Sequence, residues 1–445
     1  MSTDLLHIAS SGVRAARVAL DVTAQNIANA GTQGYVRRSV QLSELASTGG
    51  FNRIGDLSFS GVRVVGMSRA VDSFRQAEVR RTGADAARAG AELGAYQNVE
   101  AALEQSGLFP SITGFETALQ QLTTDTTDPA LRAAALEAAR TLTRTFHLAS
   151  SSLGTVAESL QFSAADGVEQ VNRLAGELGR VNLQLARSTP GTADHVMLLD
   201  QRDGLLGQIS GYADIATSLA PDQTVQVRIG GSSGPLLVSG GTADNLTMAT
   251  AADGTISFAT SAGAITLSAG SLAGEAQGLV IVRDSLTQLD AIAANLINAA
   301  NTAQTSSTAL DGTSGQPMFG GTSAESIVLS LNTGAEMATA PAGALPGSRD
   351  PAGLNALRSA LRGNDISGQI DALLFQVSSA TQGRQITAEA LDAIAGSARL
   401  ALDAQAGVNL DEEAVNLVRF QQAFQASSKA IQVASDLFDT LLAIR

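Results

Sequence analysis

The 445-residue chain contains no cysteine, which excludes disulfides, thiolate metal sites and cysteine nucleophiles together. Its three histidines, His7, His147 and His195, are too few for a histidine-rich metal centre. Tryptophan is absent and aromatics are only 4% of the residues, so any core must rest on Leu, Val, Ile and Ala. No apolar run approaches the roughly 18 residues of a membrane span; the longest are short stretches such as Gly278–Val282. Basic charge is scarce as well, with 28 Lys+Arg (a single Lys, Lys429) against 42 Asp+Glu. A net charge of −14 repels nucleic acid and anionic lipid, so neither is an expected partner. Met1-Ser2-Thr3-Asp4 offers no basic start to an unbroken apolar stretch, and a cleaved secretory signal is not expected. All nine prolines lie between Pro110 and Pro351, which leaves both ends free of the strongest helix breaker. What remains is 44% apolar and long enough for about three domains, so the chain folds.

Periodicity then places the elements. Leu6, Val13, Leu20 and Ile27 recur every seven residues within an Ala- and Leu-rich stretch, predicting a helix with a coiled-coil seam over 3–30. Gly31 and Gly34 supply its stop. From Tyr35 to Val71 the pattern is strand-like, interrupted by Gly49-Gly50. Helices follow at 71–105, ending at Gly107 and Pro110, and from Asp128-Pro129 to about 185, with a break expected near Gly154 or Gly167. A shorter helix is read at 193–209. Residues 211–272 turn Gly-, Ser- and Thr-rich with period-two alternation, as at Val225, Val227 and Ile229, and read as a small inserted β domain. Helix returns at 274–304; 305–349 reads as loop; two helices, 365–407 and 410–442, close the chain. The last has the sharpest pattern, with Leu410, Leu417, Phe424, Ile431 and Phe438 seven apart. Its natural partner is the N-terminal seam. The predicted fold is mainly α, with paired terminal coiled-coil helices, a central helical bundle and an outward β domain. The expected partition is 1–70 with 400–445 as the terminal domain, 71–210 with 273–399 as the bundle, and 211–272 as the β insertion.

Catalytic constellations fail one by one. Gly230-Gly231-Ser232-Ser233-Gly234 fits G-x-S-x-G, yet no His follows His195, and Pro235-Leu236-Leu237-Val238 reads as strand where a nucleophile elbow needs helix. It reads as a tight turn. Asp411-Glu412-Glu413 in a first helical turn complements the helix dipole, with Asn409 as cap. Asp311-Gly312-Thr313-Ser314-Gly315 lacks EF-hand spacing, so Ca²⁺ is unsupported. His147 reads as a packed or surface residue. The basic pairs Arg37-Arg38 and Arg80-Arg81 read as solvated surface. No enzyme, metal or cofactor is expected.

The ends carry a resemblance. Leu20-Asp21-Val22-Thr23-Ala24-Gln25-Asn26-Ile27-Ala28-Asn29-Ala30, followed by Gly34-Tyr35, resembles the shared signature of the bacterial flagellar axial family of rod, hook and hook-associated proteins. The segment Gly407 to Leu417, with Phe420-Gln421-Gln422-Ala423-Phe424-Gln425-Ala426, is similar to the C-terminal signature of the first hook-associated branch of that family. Leu198-Leu199-Asp200-Gln201-Arg202-Asp203 and Gly274 through Asp290, leading to Ala300-Asn301, agree with it. The resemblance implies a structural subunit of the junction between hook and filament, needed for filament assembly. It implies export through the flagellar type III apparatus, from the cytoplasm to the extracellular flagellum. It also implies partners: a ring of like subunits, hook protein, a second junction protein on the filament side, and an export chaperone.

The assembly interface is accordingly expected at Leu6, Val13, Leu20, Asn26, Ile27, Asn29, Tyr35, Leu410, Leu417, Phe424, Ile431 and Phe438, with chaperone docking on the last four. A hook or distal-rod protein is the near alternative. A secreted adhesin or enzyme displaying its β domain on a helical stalk is the alternative of another class.

Overall fold

The computed structural model describes residues 2–32, 34–48 and 57–443. Its elements run α1 (Ser2–Ala28), β1 (Arg38–Thr48), β2 (Leu57–Arg69), α2 (Ser73–Gln105), α3 (Leu108–Leu122), α4 (Pro129–Leu185) and α5 (Ala193–Tyr212). Short strands follow: β3 (Ile215–Leu219), β4 (Val225–Ile229), β5 (Leu236–Ser239), β6 (Thr242–Ala243), β7 (Thr247–Thr250), β8 (Ile256–Thr260) and β9 (Gly263–Ile265). Then come α6 (Ser271–Thr305), the two-residue strands β10 to β13 between Ser307 and Pro341, α7 (Ala352–Gly363), α8 (Ile366–Ala406) and α9 (Leu410–Ala443). The expected mainly-α class with long helices at both ends is what forms.

Local signals explain most boundaries. Asp128 Oδ1 accepts from the N–H groups of Ala130 (2.7 Å) and Leu131 (3.0 Å), capping α4 as its Asp-Pro start predicts. Asp350 Oδ1 likewise accepts from Ala352 N–H at 3.0 Å and begins α7, which sequence reading passed over. Helix α3 is likewise not expected from the sequence, where Pro110 reads as a terminator. Pro110 is the third residue of α3, within the first turn, where a missing N–H leaves no helical bond unmade. Helix α4 runs unbroken through Gly154 and Gly167 for 57 residues, about 85 Å at 1.5 Å per residue. Each glycine costs about 1 kcal/mol, and the burial of Leu153, Leu160, Ala164, Val168 and Val171 offsets it. Gly49-Gly50, the expected strand break, lies outside the described residues.

The chain divides into two compact units, one of Met1–Ala84, Val171–Leu246 and Asp392–Arg445, the other of Asp85–Gln170 and Thr247–Leu391. This differs from the expected partition, which kept 211–272 as one β domain. The strands there make two separate sheets, β3-β4-β5-β6 in the first unit and β7-β8-β9 in the second. The alternation read from sequence holds within β4, where Val225, Val227 and Ile229 are buried. The Gly230–Gly234 segment turns between β4 and β5, with Gly230 and Gly231 at φ of 79° and 86°.

Within the second unit, apolar faces of α2, α3, α4, α6, α7 and α8 enclose one core that includes Phe115, Phe146, Leu289, Phe319, Leu357 and Ile370. Phe115 meets Phe319 edge-on, with ring centroids 6.3 Å apart.

One device recurs in both units. A helix-borne amide side chain pairs with both the N–H and the C=O of a single residue in a flanking non-helical segment. Asn172 does this to Leu246 (2.8 and 2.7 Å), Asn182 to Val225 (2.8 and 3.0 Å) and Asn301 to Phe319 (2.8 and 2.9 Å). Gln304 does it to Ala338 (3.4 and 2.9 Å). Each satisfies backbone groups that burial would otherwise orphan. Asn182 therefore anchors β4 to α4 within the first unit, which is why these strands group there.

Candidate functional site at the paired chain ends

Helices α1 and α9 lie side by side in the first unit, and two contacts fix them as antiparallel. Gly12 faces Ser427, so close that an added Cβ would sit 2.7 Å from its Oγ, and Asn26 reaches Glu413. The offsets agree, since fourteen residues separate each pair along its helix. Seam pairing of the two ends was the expectation; the row used on α1 differs from it. Ala9, Ala16, Ala19, Thr23 and Asn26 are the buried residues facing along the pair, whereas Leu6 is 42% exposed and Val13, Leu20 and Ile27 are half-buried. The reason is that α1 is packed on two sides. Ser11 Oγ accepts from Val62 N–H at 3.1 Å, and Gly61 (φ 97°) lies against Ile8 and Ser11, so the β1–β2 hairpin occupies a second face. Small residues then line the closest helix approach, and the larger seven-residue row falls at its edge.

On α9 the expected row is central only in part. Leu417, Phe424 and Ile431 are half-buried and Ala434 is buried, while Leu410 and Phe438 are 54% and 47% exposed.

Asn26 and Tyr35 meet at the foot of the pair. Asn26, 1% exposed, donates to Arg38 O (2.8 Å) and Glu413 Oε2 (3.2 Å). Its Oδ1 accepts from Arg38 N–H (3.1 Å) and the Tyr35 hydroxyl (3.0 Å). This is again the two-point amide pairing, here holding the chain that leaves α1. Asn29, in the same motif but just past the end of α1, donates only to Gln25 O at 2.9 Å. Asn409 caps α9 as expected, accepting from Asp411 and Glu412 N–H at 3.0 and 3.4 Å. Glu413, read as a helix-dipole residue, does more: it is 2% exposed and its Oε1 takes Arg37 Nε at 2.7 Å.

Sequence reasoning missed the ion network beside it. Arg38 meets Asp200 (2.6 Å), and Arg69 meets both Asp200 and Asp203 (2.8 Å each). Arg202 pairs with Asp203 at 2.7 Å and donates to Gln223 O at 2.7 Å. Arg38, with a side chain 11% exposed, is therefore not solvated surface. The only hint was that Arg38 belongs to the N-terminal motif region and Asp200 and Asp203 to the internal one. Burial alone pushes the Asp203 carboxyl up, but Arg202 and Arg69 together hold it below the usual carboxylate range. Burial raises the Tyr35 phenol, against the neighbouring Arg38 guanidinium, which stands 5.1 Å from its ring centroid.

Among the described residues no cluster of His, Asp and Glu fits a metal ion, and no helix is long and apolar enough to cross a membrane. His147 Nε2 lies 2.6 Å from Ile327 O, an ordinary surface contact.

Comparisons with known proteins place this geometry. Residues 6–35 match the flagella basal body rod protein model, and residues 403–444 match the C-terminal model of the flagellar basal body rod FlgEFG proteins. The chain is 30% identical over 251 residues to flagellar hook-associated protein 1 of Salmonella typhimurium, a match of 55% of this chain and 44% of the relative. The protein of the same name from Bacillus subtilis is 29% identical over 221 residues, 48% of this chain and 43% of that one. The chain thus spans less than half the length of these relatives. The flagellar hook junction protein FlgK from Burkholderia pseudomallei superposes with a TM-score of 0.61 over 72% of this chain and 99% of that one; at 14% identity this is a likeness of fold. Among the family models the widest match is to the helical domain of flagellar hook-associated protein FlgK over residues 94–319, half of the chain, and by it the chain belongs to the FlgK family.

Proposed function

We propose that the chain is a structural subunit of the bacterial flagellum that forms the junction between hook and filament and is needed for filament assembly. The observation that carries this is the terminal helix pair. It closes on itself along one face, yet leaves Leu5, Ile8, Val415, Val418, Val433 and Leu437 between 37% and 68% exposed. Large apolar residues concentrated on two helices ask for neighbouring chains. The partners in this reading are like subunits in a ring, hook protein and a second junction protein, met outside the cell. Before export an escorting chaperone holds α9 at Leu417, Phe424, Ile431 and Phe438. Three of these four are half-buried against the rest of the first unit, so chaperone docking requires α9 to be free of α1. The rod-type matches at both ends are shared with hook and distal-rod proteins; the helical-domain match favours the junction.

Paired substitutions test it in a motile strain carrying the chain. Ile431→Asp places a charge on the half-buried face, while Gln432→Asp places it on an exposed one. The expected result is hooks without filaments, with filament protein lost to the medium, for Ile431→Asp alone. Normal filaments with Ile431→Asp, or in a strain lacking the gene, would overturn the reading.

A further inference from the structure

The apolar rows that pair α1 with α9 do not by themselves fix where along each other the two helices stop. On α1, Leu6, Val13, Leu20 and Ile27 repeat every seven residues, and so do Ala9, Ala16 and Thr23. On α9, Leu410, Leu417, Phe424, Ile431 and Phe438 do the same. Shifting α9 by seven residues, about 10.5 Å along the axis, lays each row onto itself. An antiparallel pair held only by such rows has more than one register of similar quality.

The contacts Gly12–Ser427 and Asn26–Glu413 fix the heights in the observed register. Leu5, Gly12, Ala19 and Asn26, seven apart on α1, therefore stand level with Ala434, Ser427, Phe420 and Glu413, seven apart on α9. No two large side chains share a level, and the two buried polar ones share the last. Drawing α9 seven residues away from the polar foot would bring Phe420 level with Gly12. There an added Cβ lies 3.4 Å from Ser427 Cβ, so the helices approach too closely for a ring. Pushing α9 seven residues toward the foot meets no such obstacle, because Ala434 comes level with Gly12 and Ser427 with Ala19, all of them small. What opposes this second register is polar. Asn26, 1% exposed, would face Phe420, and Glu413 would pass the end of α1 at Ala28. Arg37 Nε (2.7 Å) and Asn26 Nδ2 (3.2 Å) would then lose the carboxylate they share.

We propose that Glu413 is the register lock of the terminal pair: its carboxylate, 2% exposed and held by Asn26 and Arg37, admits one of the registers that the seven-residue repeat offers. A buried polar group of this kind acts through specificity rather than strength. The lock belongs to the single chain and does not depend on what the pair meets outside. It also sets the surface that the ends offer, since a slip would carry the exposed Val415, Val418, Val433 and Leu437 about 10.5 Å along α1.

The chain has no cysteine, so engineered pairs in the full chain report the register directly. Gly12→Cys with Ser427→Cys reads the observed register, because the 3.4 Å between their Cβ positions is close to the roughly 3.5–4.5 Å that a disulfide spans. Ala19→Cys with Ser427→Cys reads the slipped one, and in the observed register these positions are about 10.5 Å apart along the axis. Under mild oxidation the otherwise native chain is expected to crosslink at the first pair and not at the second. Glu413→Leu combined with Phe420→Glu moves the carboxylate by seven residues. Crosslinking is then expected to move to the second pair, as the displaced carboxylate returns to Asn26. Persistence at the first pair overturns the proposal. Should the combined variant fail to fold, Glu413→Leu alone decides: crosslinking at both pairs supports the lock, and crosslinking at the first pair alone refutes it. Loss of crosslinking at both pairs in a folded variant also refutes it, since the foot would then hold the ends together without choosing between registers.

Discussion

Asn26→Ala isolates the polar foot of the terminal pair. The side chain makes four hydrogen bonds, two to the backbone of Arg38 and one each to Tyr35 and Glu413. At about 1 kcal/mol per bond the loss is about 4 kcal/mol. Alanine is the better helix former by about 0.6 kcal/mol, which reduces the net cost to about 3 kcal/mol. Glu413 keeps Arg37, so its carboxylate is not left unpaired and no further charge penalty enters. Asn29→Ala, just past the end of α1, removes only an exposed donation to Gln25 O (2.9 Å) and a long acceptance from Thr32 Oγ1 (3.4 Å), both open to water, so its cost is expected to stay under about 1 kcal/mol. The assay is urea unfolding of both variants, with amide exchange at Arg38 as the local readout, because that N–H loses its acceptor in Asn26→Ala. A difference between the two variants under 1 kcal/mol, or unchanged protection at Arg38, would refute the assignment of Asn26 as the residue that holds the chain leaving α1.

Arg132 is 1% exposed and donates to Thr126 O, Gly334 O, Met337 O and Thr339 Oγ1, with no carboxylate among these partners. Arg132→Met is expected to cost about 4 kcal/mol in urea unfolding, and Arg132→Lys to rescue little, since an ammonium cannot span the fork. Full stability of the lysine variant would contradict this. Glu275 is 8% exposed, with Oε1 on Ser163 Oγ (2.7 Å) and Oε2 unpartnered. Burial raises its carboxyl above the usual range, Ser163 opposing and Asp166 adding. A folded value raised above the unfolded one means support present at low pH and lost as pH rises through the folded value. Glu275→Gln should therefore gain urea resistance relative to the native chain at pH 7 more than at pH 4, and identical differences at the two pH values would exclude this.

How much of this was legible beforehand depended on the range of the forces involved. Signals within a few residues were readable: the Asp128-Pro129 start, the Asn409 cap, the period-two burial of β4 and the Gly230–Gly234 turn all follow from local geometry. Local rules also misled where burial outweighed them. The glycines of α4 do not break it, and Pro110 does not end a helix but sits in the first turn of α3.

For the candidate site, the sequence by itself determined that both ends are long amphipathic helices suited to one another, because a seven-residue apolar repeat has no other stable use in water. Which row is buried was decided only in the folded chain. A periodic pattern names a helix face, not the number of neighbours, and the hairpin packed on α1 shifts the closest approach to Ala9, Ala16 and Ala19. The polar residues were less legible still. Asn26 and Asn29 stand three apart in one motif, yet one is buried with four hydrogen bonds to three residues and the other is not. Arg38 meets Asp200 across more than 160 positions. A hydrogen bond or ion pair acts over about 3 Å and leaves no period along the chain, so only tertiary structure could say which polar side chains hold the ends together.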